Sequence, residues 1–308
     1  MQCCRNIEHN LNHLVLDATH LVTAQTVTNP SEILSDPVFS TGLILIGLAV
    51  GVAIGLSGLG GAPLLLPSLV LIGIPPQLII GADLAFIFVT KLVAAVLHSK
   101  ERNVNWNALI FLVIPVVPSM IIASWVWSYI KENYGSDTLD SIILILLGTI
   151  LAGISLYLLK NNVMKKENVS DDENKTNIHK ARKFTSGEKS TFLGTGGIVS
   201  FITQITATGA GAMTLPILVR KCHCPPKHVA GTSVVFGVAI SAVGATLHYT
   251  MGNVPLPLVG LLLAGSIPGV IVGVKMTNRI SGRKLIVVFT GIIMVAAIFL
   301  LSRAFGIL

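Results

Sequence analysis

The chain contains one long stretch of itself twice. Pro75, Pro76, Gly81, Phe86, Val93, Ala95, Leu97 and His98 recur as Pro225, Pro226, Gly231, Phe236, Val243, Ala245, Leu247 and His248, each 150 positions later and without a gap. Asn103, Val104 and Pro118 recur in the same register as Asn253, Val254 and Pro268. A repeat on that scale fixes the architecture before any local propensity does. Its setting is apolar: mean hydropathy is +0.79, 52% of residues are hydrophobic and only 11% are charged. Soluble domains carry about 25% charged residues. The reading is an all-α polytopic membrane protein made of two related halves, with no soluble enzyme core.

Crossing the hydrocarbon layer takes about 20 apolar residues in a helix. Stretches of that kind lie at 41–57, 77–98, 107–130, 139–160, 190–207, 229–249, 255–274 and 284–302. Two shorter ones, 61–73 and 209–219, each follow a glycine cluster and end near a Pro-Pro pair. The organisation read from this is a polar N-terminal tail (1–38), a first membrane repeat (39–160), a charged linker (161–189) and a second membrane repeat (190–308). The tail carries His9, His13 and His20 with no signal-peptide core, and its scattered histidines read as solvated.

The net charge of +7 does not point to nucleic acid, because the basic residues sit between the spans. In the first half they fall in the loops 99–106 and 160–190; in the second they fall around 220–227 and 275–284. That pattern puts 17 of the 21 Lys and Arg residues on one side and leaves Arg5, Lys131 and Arg303 on the other, with Lys91 inside a span. Basic loops face the cytoplasm. The two halves are therefore expected to be inserted upside down relative to each other, with the linker cytoplasmic and both termini outside, in the cell membrane. Each half must then cross an odd number of times. The segments 41–73 and 190–219 become helix–break–helix hairpins, either re-entrant or a pair of short crossings. Irregular backbone at membrane depth is tolerated only against protein or a water-filled cavity, and in inverted-repeat transporters that is where substrate binds.

Three features carry chemistry. The first is the glycine break, Gly55-Leu-Ser-Gly-Leu-Gly-Gly-Ala-Pro63 in one half and Thr206-Ala-Thr-Gly-Ala-Gly-Ala212 in the other. Each precedes a short helix, and a helix N-terminus presents free N–H donors and a positive dipole end to an oxyanion. Small residues also let membrane helices pack closely, so packing is the bland alternative. The candidate binding residues here are Gly58, Gly60, Gly61, Gln204, Thr206, Thr208, Gly209 and Gly211. The second feature is Pro-Pro followed by Gly-Ala-Asp83 or Gly-Thr-Ser233, which opens a helix and brings Asp83 and Thr232/Ser233 to equivalent depths. The third is charge within a span. Asp83 and Lys91 share a broad helical face about 12 Å apart along the axis, too far for a direct salt bridge. Intramembrane charges are functional candidates by default. Their counterparts Ser233 and Ser241 are uncharged, so neither charge is required by the fold. Asp83 is the group expected to take up a proton as an anion binds, making protons the coupling ion, and Lys91 is the added anchor. His98 and His248 end their spans and read as interfacial.

No Walker P-loop, His-Glu-x-x-His or nucleophile elbow is present, which argues against an ATP-driven pump, an intramembrane hydrolase and enzymes generally. No cofactor is implied. The four cysteines form no disulfide framework. Cys222-His-Cys224 supplies three candidate metal donors where zinc takes about four.

The stretches GLSGLGGAPLLLPSLVLIGIPPQLIIGADLAF, HSKERNVNW and TGAGAMTLPILVRKCHCPPKHVAGTSVVFGVAISAVGATLHYTMGNVPL resemble the two repeats of the sulfite exporter TauE/SafE family. The likeness spans roughly 40–160 and 190–302. It implies a multipass permease, an exporter of a small anion such as sulfite or an organosulfonate. Gly231-Thr-Ser233 matches the family pattern. Asp83 stands where that pattern has Ser, and Lys91 and the Cys-His-Cys loop are additions to it. The alternative is a non-transport membrane protein that handles thiols or metal through Cys222 and Cys224.

Overall fold

The computed structural model describes residues 37–57, 62–100, 104–164, 184–208, 210–221, 226–277 and 282–305. Among them there are helices and no strand. The first half supplies α1 (Pro37–Ser57), α2 (Ala62–Leu71), α3 (Pro76–Lys100), α4 (Trp106–Val113), α5 (Val116–Tyr134) and α6 (Ser136–Met164). The second supplies α7 (Ser186–Thr206), α8 (Ala210–Lys221), α9 (Pro226–Thr250), α10 (Leu256–Thr277) and α11 (Gly282–Ala304). The element order of the first half recurs in the second, and α3 and α9 start and stop 150 residues apart at both ends. α4 and α5 together match the single helix α10.

Among the described residues, five stretches are long and apolar enough to cross a membrane: Pro37–Ile54, Trp106–Tyr134, Ser136–Leu156, Gly231–Thr250 and Leu256–Gly273. The expected span 77–98 is helical throughout, within α3, and 190–207 is helical as far as Thr206; α7 is the less apolar of the two, since it carries Glu188, Lys189 and several threonines. α2 and α8 have 10 and 12 residues. At 1.5 Å per residue they reach about 15 and 18 Å, half the hydrocarbon thickness, as expected for the short arms of broken hairpins.

Local chemistry explains the boundaries. Asn105 caps α4, its side chain accepting from Ala108 N–H at 3.1 Å. Thr185 and Glu188 form a capping box at the start of α7, with the Thr185 N–H donating to Glu188 Oε2 at 2.9 Å. α9 ends in a Schellman turn: Gly252 adopts φ +74°, and the N–H groups of Asn253 and Gly252 reach His248 O and Tyr249 O at 2.9 and 3.0 Å. The junction between the expected spans 107–130 and 139–160 is a corner of one residue. Gly135, at φ +82°, joins α5 to α6 directly.

The halves pack by exchange. α1 lies along α10 and, reciprocally, α7 lies along α4 and α5; α3 packs on α9, and α6 on α11. One close contact recurs in both exchanges. A Cβ at Gly47 of α1 would overlap the backbone carbonyl of Leu262. A Cβ at Gly196 of α7 would overlap the carbonyl of Leu112, the residue 150 positions before Leu262. Along α1 and α10 the approach continues through Gly51 against Ser266, and through Gly265 and Gly269 against Ile44 and Leu48. This is the small-residue packing that substitutes for hydrophobic driving force in membranes. Two buried cores flank these seams, one built around Leu65, Ile79, Phe86, Ile143 and Leu262 and the other around Leu112, Met120, Phe192, Phe236 and Ile240.

Candidate functional site

The second glycine break is described on its α7 side. α7 ends at Thr206, and α8 begins at Ala210, directly after Gly209. The turn is made two residues before the glycine: Ala207 adopts φ +49° with its N–H on Thr203 O at 2.7 Å. A left-handed conformation costs a non-glycine residue about 1–2 kcal/mol. It is held here by local hydrogen bonds that compete with helix continuation. Thr206 Oγ1 donates to Ile202 O at 2.8 Å and accepts from Thr208 N–H at 3.3 Å, while Thr203 Oγ1 donates to Thr208 O at 3.3 Å. Thr203, Thr206, Ala207 and Thr208 are all buried.

A small cavity of about 10 Å³ opens where α3, α7 and α9 meet. Leu84, Ile87 and Ile240 supply its apolar wall; Lys91, Thr203 and Ser241 supply its polar groups; Ala207 and Gly237 close it with backbone. That volume is about what one water needs, and it does not admit an anion of four heavy atoms. The half-buried Lys91 lies across Gly237, where an added Cβ would stand 2.7 Å from its Nζ and 3.0 Å from its Cδ. At positions 150 residues apart, the large pair Ile87 and Lys91 therefore faces the small pair Gly237 and Ser241. The Ser241 hydroxyl donates to Gly237 O at 2.7 Å, and its proton can rotate toward an acceptor placed in the cavity.

Asp83 lies one turn beyond Ile87 on the same stripe of α3. It is fully buried, and neither carboxylate oxygen has a hydrogen-bond partner among the described residues. Burying a charge without a partner is costly.

The other expected site residues divide. Gln204 is buried; its Nε2 donates to Ser124 Oγ at 2.8 Å. Thr232 has its hydroxyl committed, donating to His228 O at 2.6 Å and accepting from Asn105 N–H at 2.9 Å. That pair ties α9 to the start of α4. Ser233 and Gly211 are buried. Gly58, Gly60, Gly61 and Gly209 lie outside the described residues, as do Cys222 and Cys224. Among the described residues no group of three His, Cys, Asp or Glu side chains could hold a metal.

Two findings add to the expectations. His248, expected at the end of its span, is fully buried within the protein, with its Nε2 donating to Gln204 O at 3.0 Å and its ring edge-on to Trp127. The cavity also uses Thr203, Gly237 and Ser241, which the sequence reading did not place in the site. The signal for Ser241 was its register, 150 residues after Lys91.

A family model described as Sulfite exporter TauE/SafE matches residues 43–300. The chain is 27% identical over 259 residues to the Probable membrane transporter protein YjnA of Bacillus subtilis (strain 168), covering 84% of this chain and 98% of that protein. It is 26% identical over 276 residues to a protein of Methanocaldococcus jannaschii also described as a probable membrane transporter, covering 84% and 94%. No solved structure matches.

Proposed function

The chain belongs to the sulfite exporter TauE/SafE family, and from that premise we propose that it is a secondary permease exporting a small anion, such as sulfite or an organosulfonate, by alternating access. The observation that carries this reading is the placement of Lys91. A lone intramembrane cation lies on the wall of a cavity beside the broken end of α7, with the buried Asp83 two turns along the same face. The anion would sit between Lys91, the hydroxyls of Thr203 and Ser241, and the positive end of α8 after Gly209. The cavity holds no more than a water, so admitting the anion requires it to widen by motion of α7 or α9 relative to α3.

Inverted halves are part of the proposal. The exchange of contacts between α1·α10 and α7·α4/α5, repeated at Gly47–Leu262 and Gly196–Leu112, supports a two-fold relation between them. The charge pattern supports placing that axis in the membrane plane, with the linker 161–189 cytoplasmic and both termini outside. Asp83 supplies proton coupling: an anion entering beside it favours its protonated form, so anion and proton leave together.

The test is flux in proteoliposomes across a panel of sulfite, sulfate, taurine, sulfoacetate, acetate and chloride, in both directions. Saturable flux of at least one sulfur oxyanion or sulfonate is expected. Protein that is folded and inserted yet moves none of the panel contradicts the reading.

A further inference from the structure

A second group of buried polar side chains lies at the junction of α5, α7 and α9, beside the cavity: a Cβ at Gly244 would meet both Gln204 Oε1 and the cavity-lining Leu84. Three buried atoms there have no hydrogen-bond partner among the described residues: Gln204 Oε1, His248 Nδ1 and Trp127 Nε1. The side chains that carry them adjoin. The His248 and Trp127 rings meet edge to face, with centroids 5.0 Å apart and planes at 86°. His248 Nε2 is bonded to the backbone carbonyl of Gln204 itself. Gln204 Nε2 is bonded to Ser124, one turn before Trp127 on α5. Gln204 Oε1 lies over Gly244, one turn before His248 on α9, where an added Cβ would stand 3.0 Å from it.

Hydrogen-bond chemistry fixes what the three atoms require. A carbonyl only accepts, so His248 Nε2 carries the proton and Nδ1 of the neutral ring is an acceptor. Trp127 Nε1 is a donor only. The Gln204 amide presents an acceptor as placed, or a donor if its ends are exchanged, since Ser124 can bond either. The partner must therefore donate and accept at once, in a combination that holds for either amide orientation. A water molecule, with two donors and two acceptor positions, satisfies all three atoms in both cases. Buried waters typically make about three hydrogen bonds to groups that would otherwise be unsatisfied.

We propose that Gln204, His248 and Trp127 together bind one ordered water inside the helix bundle, and that this water joins the broken end of α7 to α5 and α9. The site is independent of what the protein transports. It makes the last turn of α7, which lines the cavity through Thr203 and Ala207, part of a hydrogen-bonded unit rather than a loose end.

Two measurements test it on the full chain. In a high-resolution cryo-EM map, a solvent peak is expected within about 3.2 Å of Trp127 Nε1 and of at least one of the other two atoms. Empty density there, or a direct Trp127–His248 bond, overturns the proposal. The second is ultraviolet resonance Raman of the Trp106→Phe/Trp125→Phe protein, whose single remaining indole is Trp127. Its N–H band should show a hydrogen-bonded indole, and adding Gln204→Leu/His248→Phe should convert it to the free form. A free indole in the single-tryptophan parent overturns the proposal whether or not the further variant folds. So does a band that stays hydrogen-bonded after both acceptors are removed.

Discussion

Gly265→Ala tests whether backbone contact between α1 and α10 holds the halves together. A methyl at Gly265 would stand 2.8 Å from Leu48 N and 2.9 Å from Ile44 C, and would overlap Ile44 O. Contact between non-bonded heavy atoms is most favourable near 3.5–4.0 Å, so α1 must move away by more than about 0.7 Å, the shift that Leu48 N alone requires. The neighbour is backbone, which cannot rotate aside as a side chain would. Inserting one methyl into such a seam costs about 1–3 kcal/mol. Gly→Ala in a helix also gains about 0.5–1 kcal/mol of propensity, which hides part of that cost. The control is Gly260→Ala on the same helix, where a Cβ meets nothing within 4 Å and only the propensity gain remains. At about 2 °C per kcal/mol for a chain of this size, thermal unfolding in detergent should separate the two variants by about 2–6 °C, with Gly265→Ala the less stable. Equal midpoints would show that the seam is slack and that reciprocal packing is not what joins the halves.

Other variants address the transport reading. Asp83→Asn keeps the shape of a buried side chain while removing its proton, so anion binding should persist and the pH dependence of flux should flatten; an unchanged pH profile in proteoliposomes assigns Asp83 a structural role only. Gly209→Leu should abolish flux with little loss of folded protein by size-exclusion chromatography, because its side chain would occupy the approach to the start of α8. Near-normal flux there favours the packing explanation for the glycines. Single cysteines at Asn174 and near Leu308, in a background without Cys3, Cys4, Cys222 and Cys224, should be labelled by a membrane-impermeant thiol reagent from opposite sides; labelling of both from the same side refutes inverted insertion.

The parts legible in the sequence were those encoded in register and composition. The 150-residue offset anticipated that α3 and α9 would share their boundaries, and the glycine clusters anticipated the two short arms α2 and α8. What could not be read depends on who meets whom across helices. The sequence put the break within 206–212 without saying which residue turns; the turn described is at Ala207, because Thr203, Thr206 and Thr208 bond the local backbone there. His248 ends an apolar span, as an interfacial residue would, yet its partners are Gln204, 44 residues away, and Trp127. Ser241 was visible only as the uncharged counterpart of Lys91. Its place on the cavity wall follows from α3 packing on α9, which no local pattern specifies.

The most direct test of the central claim is equilibrium binding of the transported anion to purified protein, compared between wild type and Lys91→Met. A unit charge about 4 Å from an anion at an effective dielectric near 20 is worth about 4 kcal/mol, and the half-exposed position of Lys91 reduces that through solvent screening. The account predicts a Kd at least tenfold weaker in Lys91→Met, with the folded yield unchanged. An unaltered Kd would place the anion elsewhere and contradict the site built on α3, α7 and α9.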